Sequence, residues 1–181
     1  MISFLSRSVE AFLRHTYGRT FAEGTGAAPD RQAIDGDAMG FVLPLLQAAG
    51  AQLHKPVEEL TEDWAAWLAR HEAVRRLLRF SGAEFRDFIA ALGELPGRVR
   101  MVLPANAPPR VRVVPQGEGP QQLVVEGADI WAHFLAGMVR AMADDYGSLA
   151  LVSVEGSTVM VDVSLDRFVS GRGFDLVSDV A

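Results

Sequence analysis

The chain has 181 residues, with 17 basic and 23 acidic side chains and a formal charge of −6, a balance that argues against broad electrostatic attachment to nucleic acid or anionic membrane. Hydrophobic residues at 49% and charged residues at 22% are ordinary for a globular protein, and the length suits one large domain or two small subdomains sharing a core. No cysteine is present, which excludes disulfides, zinc ribbons, iron–sulfur clusters and a thiol nucleophile, and leaves His15, His54, His71 and His133 to carry any metal chemistry.

The first residues, Met1-Ile-Ser-Phe-Leu-Ser6, lack the basic start and long apolar stretch of a secretory leader. Apolar runs such as Phe41–Leu46 are far shorter than the roughly 20 residues a membrane helix needs, so a soluble cytoplasmic protein is expected.

Leu5, Val9, Phe12 and Leu13 recur at helical spacing and predict a first helix stopped by Tyr17-Gly18. Glu23–Gly36 reads as loop. Asp37 is placed to cap a helix burying Val42, Leu46, Ala49 and Leu53, with Pro44 either kinking it or shifting its start. Pro56 suits the first position of the next helix, with Glu58 and Glu59 near its positive end and Val57, Leu60, Trp64, Trp67 and Leu68 as its stripe. Val74, Leu77 and Leu78 mark another helix. Phe85, Phe88, Ile89 and Leu92 mark one ending near Gly93, and Pro96-Gly97 should break or bend the chain before Val99–Leu103.

After Pro104 the period changes. Arg110–Val113 alternates as a strand, Gln116–Pro120 is a turn and Leu123–Val125 a second strand. A long helix from about Asp129 to Asp145 stops at Gly147, and Leu149–Val154 with Thr158–Leu165 forms a hairpin across Glu155-Gly-Ser157. The predicted fold class is α+β, a helical N-terminal half packed on a C-terminal half with a four-stranded antiparallel sheet and one long helix. Residues 1–165 are expected to form one domain, helical over 1–103 and α/β over 104–165, with 166–181 a tail.

Few motifs carry chemistry. Asp35-Gly-Asp37 lacks the ligand series of a calcium loop and reads as loop and cap. Asp144-Asp145 sits at a helix C-terminus, where the dipole disfavours acids, so solvent exposure is expected. The arginines from Arg70 to Arg112 read as a solvated surface. No nucleophile elbow, zinc-protease pair, phosphate loop or dinucleotide fingerprint appears, so no enzyme is expected. His133 shares a helical face with Ile130, Phe134, Gly137 and Met138. It is either a hydrogen-bonded core histidine or a residue pointing into a ligand cavity.

Several segments in order resemble the haem nitric-oxide/oxygen-binding (H-NOX) family. Leu13-Arg-His-Thr-Tyr-Gly18 is similar to the end of its opening helix, Leu53-His-Lys-Pro56 to the lead-in of a later one, and Phe88–Leu95 to the segment before the haem ligand. Ala107-Pro-Pro-Arg110 resembles its proline-rich connector, and the β-β-α-β-β order is its C-terminal half. The chain departs from the family at two points. Pro96 stands where the proximal histidine belongs, and Val124–Asp129 replaces the Tyr-x-Ser-x-Arg motif that grips the propionates.

The resemblance implies a sensory, ligand-binding domain with haem b as the family cofactor. It implies a small apolar or gaseous ligand, and a histidine kinase or cyclic-dinucleotide enzyme as partner. By the same resemblance Pro109 presses on the haem, Leu5 and Val9 form the distal wall, and His133 takes the place of a distal tyrosine. In that place His133 is a candidate distal-side ligand of the iron, a donor to another ligand, or the filler of a collapsed pocket. Two alternatives stand beside this reading. One is a haem-free pocket for a small apolar molecule or fatty acid. The other is a structural interaction module whose cavity is filled by Phe80, Phe88, Trp64 and Trp67.

Overall fold

The computed structural model describes residues 4–24, 39–102, 108–114 and 119–166. Helix α1 (Phe4–Tyr17) buries Leu5, Val9, Phe12 and Leu13, and the chain turns at Gly18, whose φ of 92° is a conformation that glycine adopts freely. A short α2 (Arg19–Gly24) follows. Asp37, the expected cap, lies outside the described residues. Helix α3 (Leu43–Leu53) starts late enough to put Pro44 in its first turn, where a missing N–H costs nothing, so the proline shifts the start and does not kink the helix. At its end a Cβ on Gly50 would come within 2.7 Å of the Lys55 carbonyl oxygen, which is why the reversal into the next helix needs glycine.

Helix α4 (Val57–Ala69) follows Pro56, which caps it instead of opening it, and carries Glu58 and Glu59 in its first turn. Leu60, Trp64 and Leu68 are buried, and the indole Nε1 of Trp64 donates to Ser8 Oγ at 3.1 Å, tying α4 to α1. Helices α5 (Glu72–Arg79) and α6 (Phe85–Ala90) come next. A 3-10 turn (Ala91–Glu94) then feeds directly into α7 (Leu95–Val102). Of the break or bend expected at Pro96-Gly97, the break is therefore absent. Pro96 falls in the first turn of α7, the one stretch of a helix that tolerates proline.

Strands β1 (Val111–Val114), β2 (Gln121–Val125), β3 (Leu149–Glu155) and β4 (Thr158–Leu165) form an antiparallel sheet in the order β1-β2-β4-β3. Leu123 pairs with Val159 and Val152 with Val161, which brings their side chains to one buried face. Most of the expected turn at Gln116–Pro120 lies outside the described residues. Helix α8 (Ile130–Tyr146) lies between that face and α4, and ends at Gly147 with φ of 73°. Squeezed between sheet and helix, α8 buries residues around most of its circumference, from Trp131 to Tyr146. Its closest neighbour is α4: a Cβ on Gly137 would stand 2.1 Å from the Glu62 carbonyl oxygen. The fold is α+β, as the sequence predicts. No helix among the described residues is long and apolar enough to cross a membrane.

Two surface expectations fail. Asp144 is exposed, but Asp145 is buried, with Oδ1 accepting from Arg75 Nε at 2.7 Å. Arg75 is buried with it, so the arginine band from Arg70 to Arg112 is not wholly solvated. A buried carboxylate and guanidinium avoid the cost of isolated charge only by meeting, and their partner elements are 70 residues apart in the chain.

A candidate apolar ligand cavity

Between them the helical part and the sheet part form a cavity of about 270 Å3 that is partly open to solvent. Helix α8 supplies one wall through Trp131, Phe134, Leu135 and Met138, four positions that share a helical face. Val74, Leu77 and Leu78 of α5, with Ala73 beside them, form the opposite side together with Leu68 of α4. Leu95, Pro96 and Val99 come from the start of α7, and Pro108, Pro109, Val111 and Val125 from the connector and the sheet. Phe4 and Leu5 of α1 complete the lining.

These walls are held by ionic contacts behind them. Arg75 and Arg79, on the flank of α5 beside Val74 and Leu78, both face Asp145 at the end of α8, Arg79 Nε at 3.6 Å. The hydrogen bond to the Asp145 carboxylate raises the pKa of Arg75 further above its usual value. The Arg79 guanidinium also lies 3.9 Å from the ring centre of Tyr146, whose hydroxyl donates to the Gly82 carbonyl at 2.9 Å. Two cavity walls are thus pinned together by residues that do not touch the cavity.

The candidate residues separate. Leu5 and Pro109 line the cavity, and so does Pro96 in the place of the proximal histidine. Val9 is fully buried but is not among the lining residues. His133 is not among them either. Its imidazole turns from the cavity to α4, where Nδ1 lies 2.8 Å from Glu62 Oε1. The other Glu62 oxygen accepts from Arg140 Nη1, and Arg140 Nη2 donates to the Val152 carbonyl at 2.8 Å. The physical reason is the Gly137 contact: it lets α4 close on α8 so tightly that the neighbouring His133 and Arg140 meet Glu62. Of the proposed fillers, Phe80 is exposed, Trp64 and Phe88 are buried elsewhere, and Trp67 packs on Phe12; none lines the cavity.

The lining does not fit haem. Among the described residues it offers no imidazole, thiolate or phenolate to the iron, and Met138 supplies a thioether without a histidine beside it. No arginine, serine or tyrosine among its described residues could hold two propionates. In the stretch that replaces the propionate motif, Val125 faces the cavity, whereas Glu126 is exposed and its N–H donates to the Arg110 carbonyl at 2.9 Å. Among the described residues, no three His, Asp or Glu side chains are grouped to bind a metal ion.

Sequence reasoning missed Glu62, Arg140 and the Arg75–Asp145 pair, and the walls drawn from α5. Each depends on residues far apart in the chain, and no local period announces it.

No family model matches the chain, and no curated protein matches it in sequence. Solved structures do. An Fe(II) unliganded H-NOX protein from K. algicida superposes with a TM-score of 0.73 at 14% identity, over 99% of this chain and 100% of that one. A triple mutant of an S. oneidensis H-NOX protein in the Fe(II) state gives 0.73 at 11% identity, over 89% and 95%. An oxygen-binding H-NOX domain related to soluble guanylate cyclases gives 0.65 at 16% identity, over 96% and 100%. At these identities the likeness shows the fold, which is that of an H-NOX-like domain.

Proposed function

We propose that this chain is a non-catalytic sensory domain of H-NOX type, residues 1–165 acting as one unit that binds a small ligand in the apolar cavity. The carrying observation is the position of the cavity between the two parts of the molecule. An occupant touching α5 and α7 on one side and α8 on the other biases how these parts pack. The cavity's walls are almost wholly apolar, so water in it finds few partners and an apolar occupant gains by displacing that water. The signal would pass to a separate protein, a histidine kinase or a cyclic-dinucleotide enzyme being the partners that the resemblance implies.

Haem, the cofactor of the fold's namesakes, is not proposed as the occupant, because the lining supplies neither an axial ligand nor anchors for its carboxylates. Absorption spectroscopy checks this: protein purified from haem-replete cells should show no Soret band and should take up no added hemin. A Soret band lost in His133→Ala would restore His133 as a ligand and overturn the haem-free reading. The sensory reading is tested by hydrogen exchange with and without naphthalene as probe. Slower exchange in α5 and α7 on occupancy is expected, and unchanged exchange throughout would sink the idea.

A further inference from the structure

We infer that the occupant is a neutral hydrocarbon-like molecule of about ten non-hydrogen atoms, held by packing alone; this rests on the cavity being a ligand site, as proposed above. The size follows by comparison. A 150 Å3 cavity lined by leucine, isoleucine and phenylalanine binds benzene, so about 270 Å3 accommodates roughly twice that bulk, the scale of a fused bicyclic aromatic or a monoterpene.

The neutrality follows from what the walls cannot do. Among the described residues their side chains are aliphatic, aromatic or proline, with the Met138 thioether and the Trp131 indole as the only heteroatom groups. The backbone is equally unhelpful. Pro96, Pro108 and Pro109 have no N–H, and they occupy the part of the wall where irregular chain would otherwise offer donors. At the start of α7, Leu95 N–H bonds to the Leu92 carbonyl and Pro96 has no N–H to offer. In the sheet wall, Val125 N–H is taken by the Ser157 carbonyl at 2.9 Å. A carboxylate or ammonium drawn fully into this space would lose its water and find no side chain of opposite charge among the described lining residues. A fatty acid is disfavoured on the same ground, unless its head group stays outside.

The aromatic end gives the site some shape preference. Trp131 and Phe134 meet edge to face, with ring centres 5.5 Å apart, and Phe4 also lines the cavity, so a flat apolar ring can pack against aromatic surfaces.

The test is calorimetric titration of the full chain with a matched pair, 2-methylnaphthalene and 2-naphthoate, which differ chiefly in a charged group. The neutral compound should bind at least about 100-fold more tightly than the carboxylate, the scale set by leaving one charged group without partners. Equal affinities, or tighter binding of the carboxylate, overturn the inference. Met138→Trp and Leu77→Trp fill the space from partly exposed positions, and each should weaken 2-methylnaphthalene by at least about tenfold, whereas Leu151→Ser on the sheet edge should not. NMR of the unaltered chain locates the site without any variant. Methyl shifts at Val99, Val111 and Leu135 are expected, and shifts confined to other regions count against the site. If 2-methylnaphthalene binds there while hydrogen exchange stays unchanged, the ligand class stands and the sensory reading falls. If hemin binds with a Soret band, the ligand class falls and the sensory reading survives.

Discussion

Replacing Asp145 by asparagine keeps its size but removes the charge that Arg75 and Arg79 face, leaving the exposed Glu72 carboxylate, 3.5 Å from Nη1, to face the buried Arg75. Breaking such a pair by one partner costs about 3 kcal/mol or more, whereas replacing both ends with apolar groups is often nearly neutral. Urea unfolding of Asp145→Asn should show that loss, and Asp145→Leu combined with Arg75→Met and Arg79→Met should recover most of it. Tyr146, next in the chain, responds to pH. Burial, the largest influence, raises its pKa above the ordinary value near 10, as burial also does for Tyr17. A group whose folded pKa is raised contributes stability that is complete below the unfolded value and is lost as pH climbs through the folded one. The protein should therefore be stable to about pH 10 and weaken above it. Its two tyrosines should develop tyrosinate absorbance only beyond that point. Tyr146→Phe should flatten the alkaline decline and cost about 1 kcal/mol at neutral pH, through loss of the bond to the Gly82 carbonyl. The dipole rule misplaced Asp145 because it weighs only the local helix end. The partner that decides the matter sits on α5 and leaves no mark near residue 145.

At the scale of elements, the seam between α4 and α8 turns on Gly137. A methyl there meets the Glu62 carbonyl oxygen at 2.1 Å, and backbone cannot swing aside as a flexible side chain would. Gly137→Ala should force the helices apart and cost about 3 kcal/mol in thermal unfolding, despite alanine's better helix propensity. The helical stripes of α1, α4 and α5 and the alternation of β3 and β4 were legible in the sequence because each buries one side only. Helix α8 was legible as a helix but not in its facing. Buried around most of its circumference, it has two apolar faces, and the spacing that joins His133 to Phe134 and Met138 does not say which face meets the cavity. Pro96-Gly97 misled for another reason. A proline signals a break in the middle of a helix and a start at its first turn, and the 3-10 turn ahead of α7 leaves no loop residues to tell the two apart.

Over the whole molecule, the cavity draws on all three reaches of the chain, from Phe4 to Leu78, from Leu95 to Val125 and from Trp131 to Met138. Leu5 and Pro109 could be assigned to it from resemblance, whereas the α5 wall arises only when the fold is assembled. A ligand that binds the folded chain alone stabilises it by mass action, about 2.7 kcal/mol at a concentration of 100 Kd. Thermal unfolding should accordingly shift upward with 2-methylnaphthalene, and the shift should vanish in Met138→Trp. One wall residue also makes occupancy visible in ordinary light. Of the three tryptophans, Trp131 alone borders the cavity; Trp64 sits behind Phe134, with ring centres 4.9 Å apart, and Trp67 packs on Phe12. An arriving molecule changes the surroundings of one indole directly, a second through a single ring and the third hardly at all. The chain's own emission is thus a gauge of filling, read without a dye, with Trp67 as its internal reference.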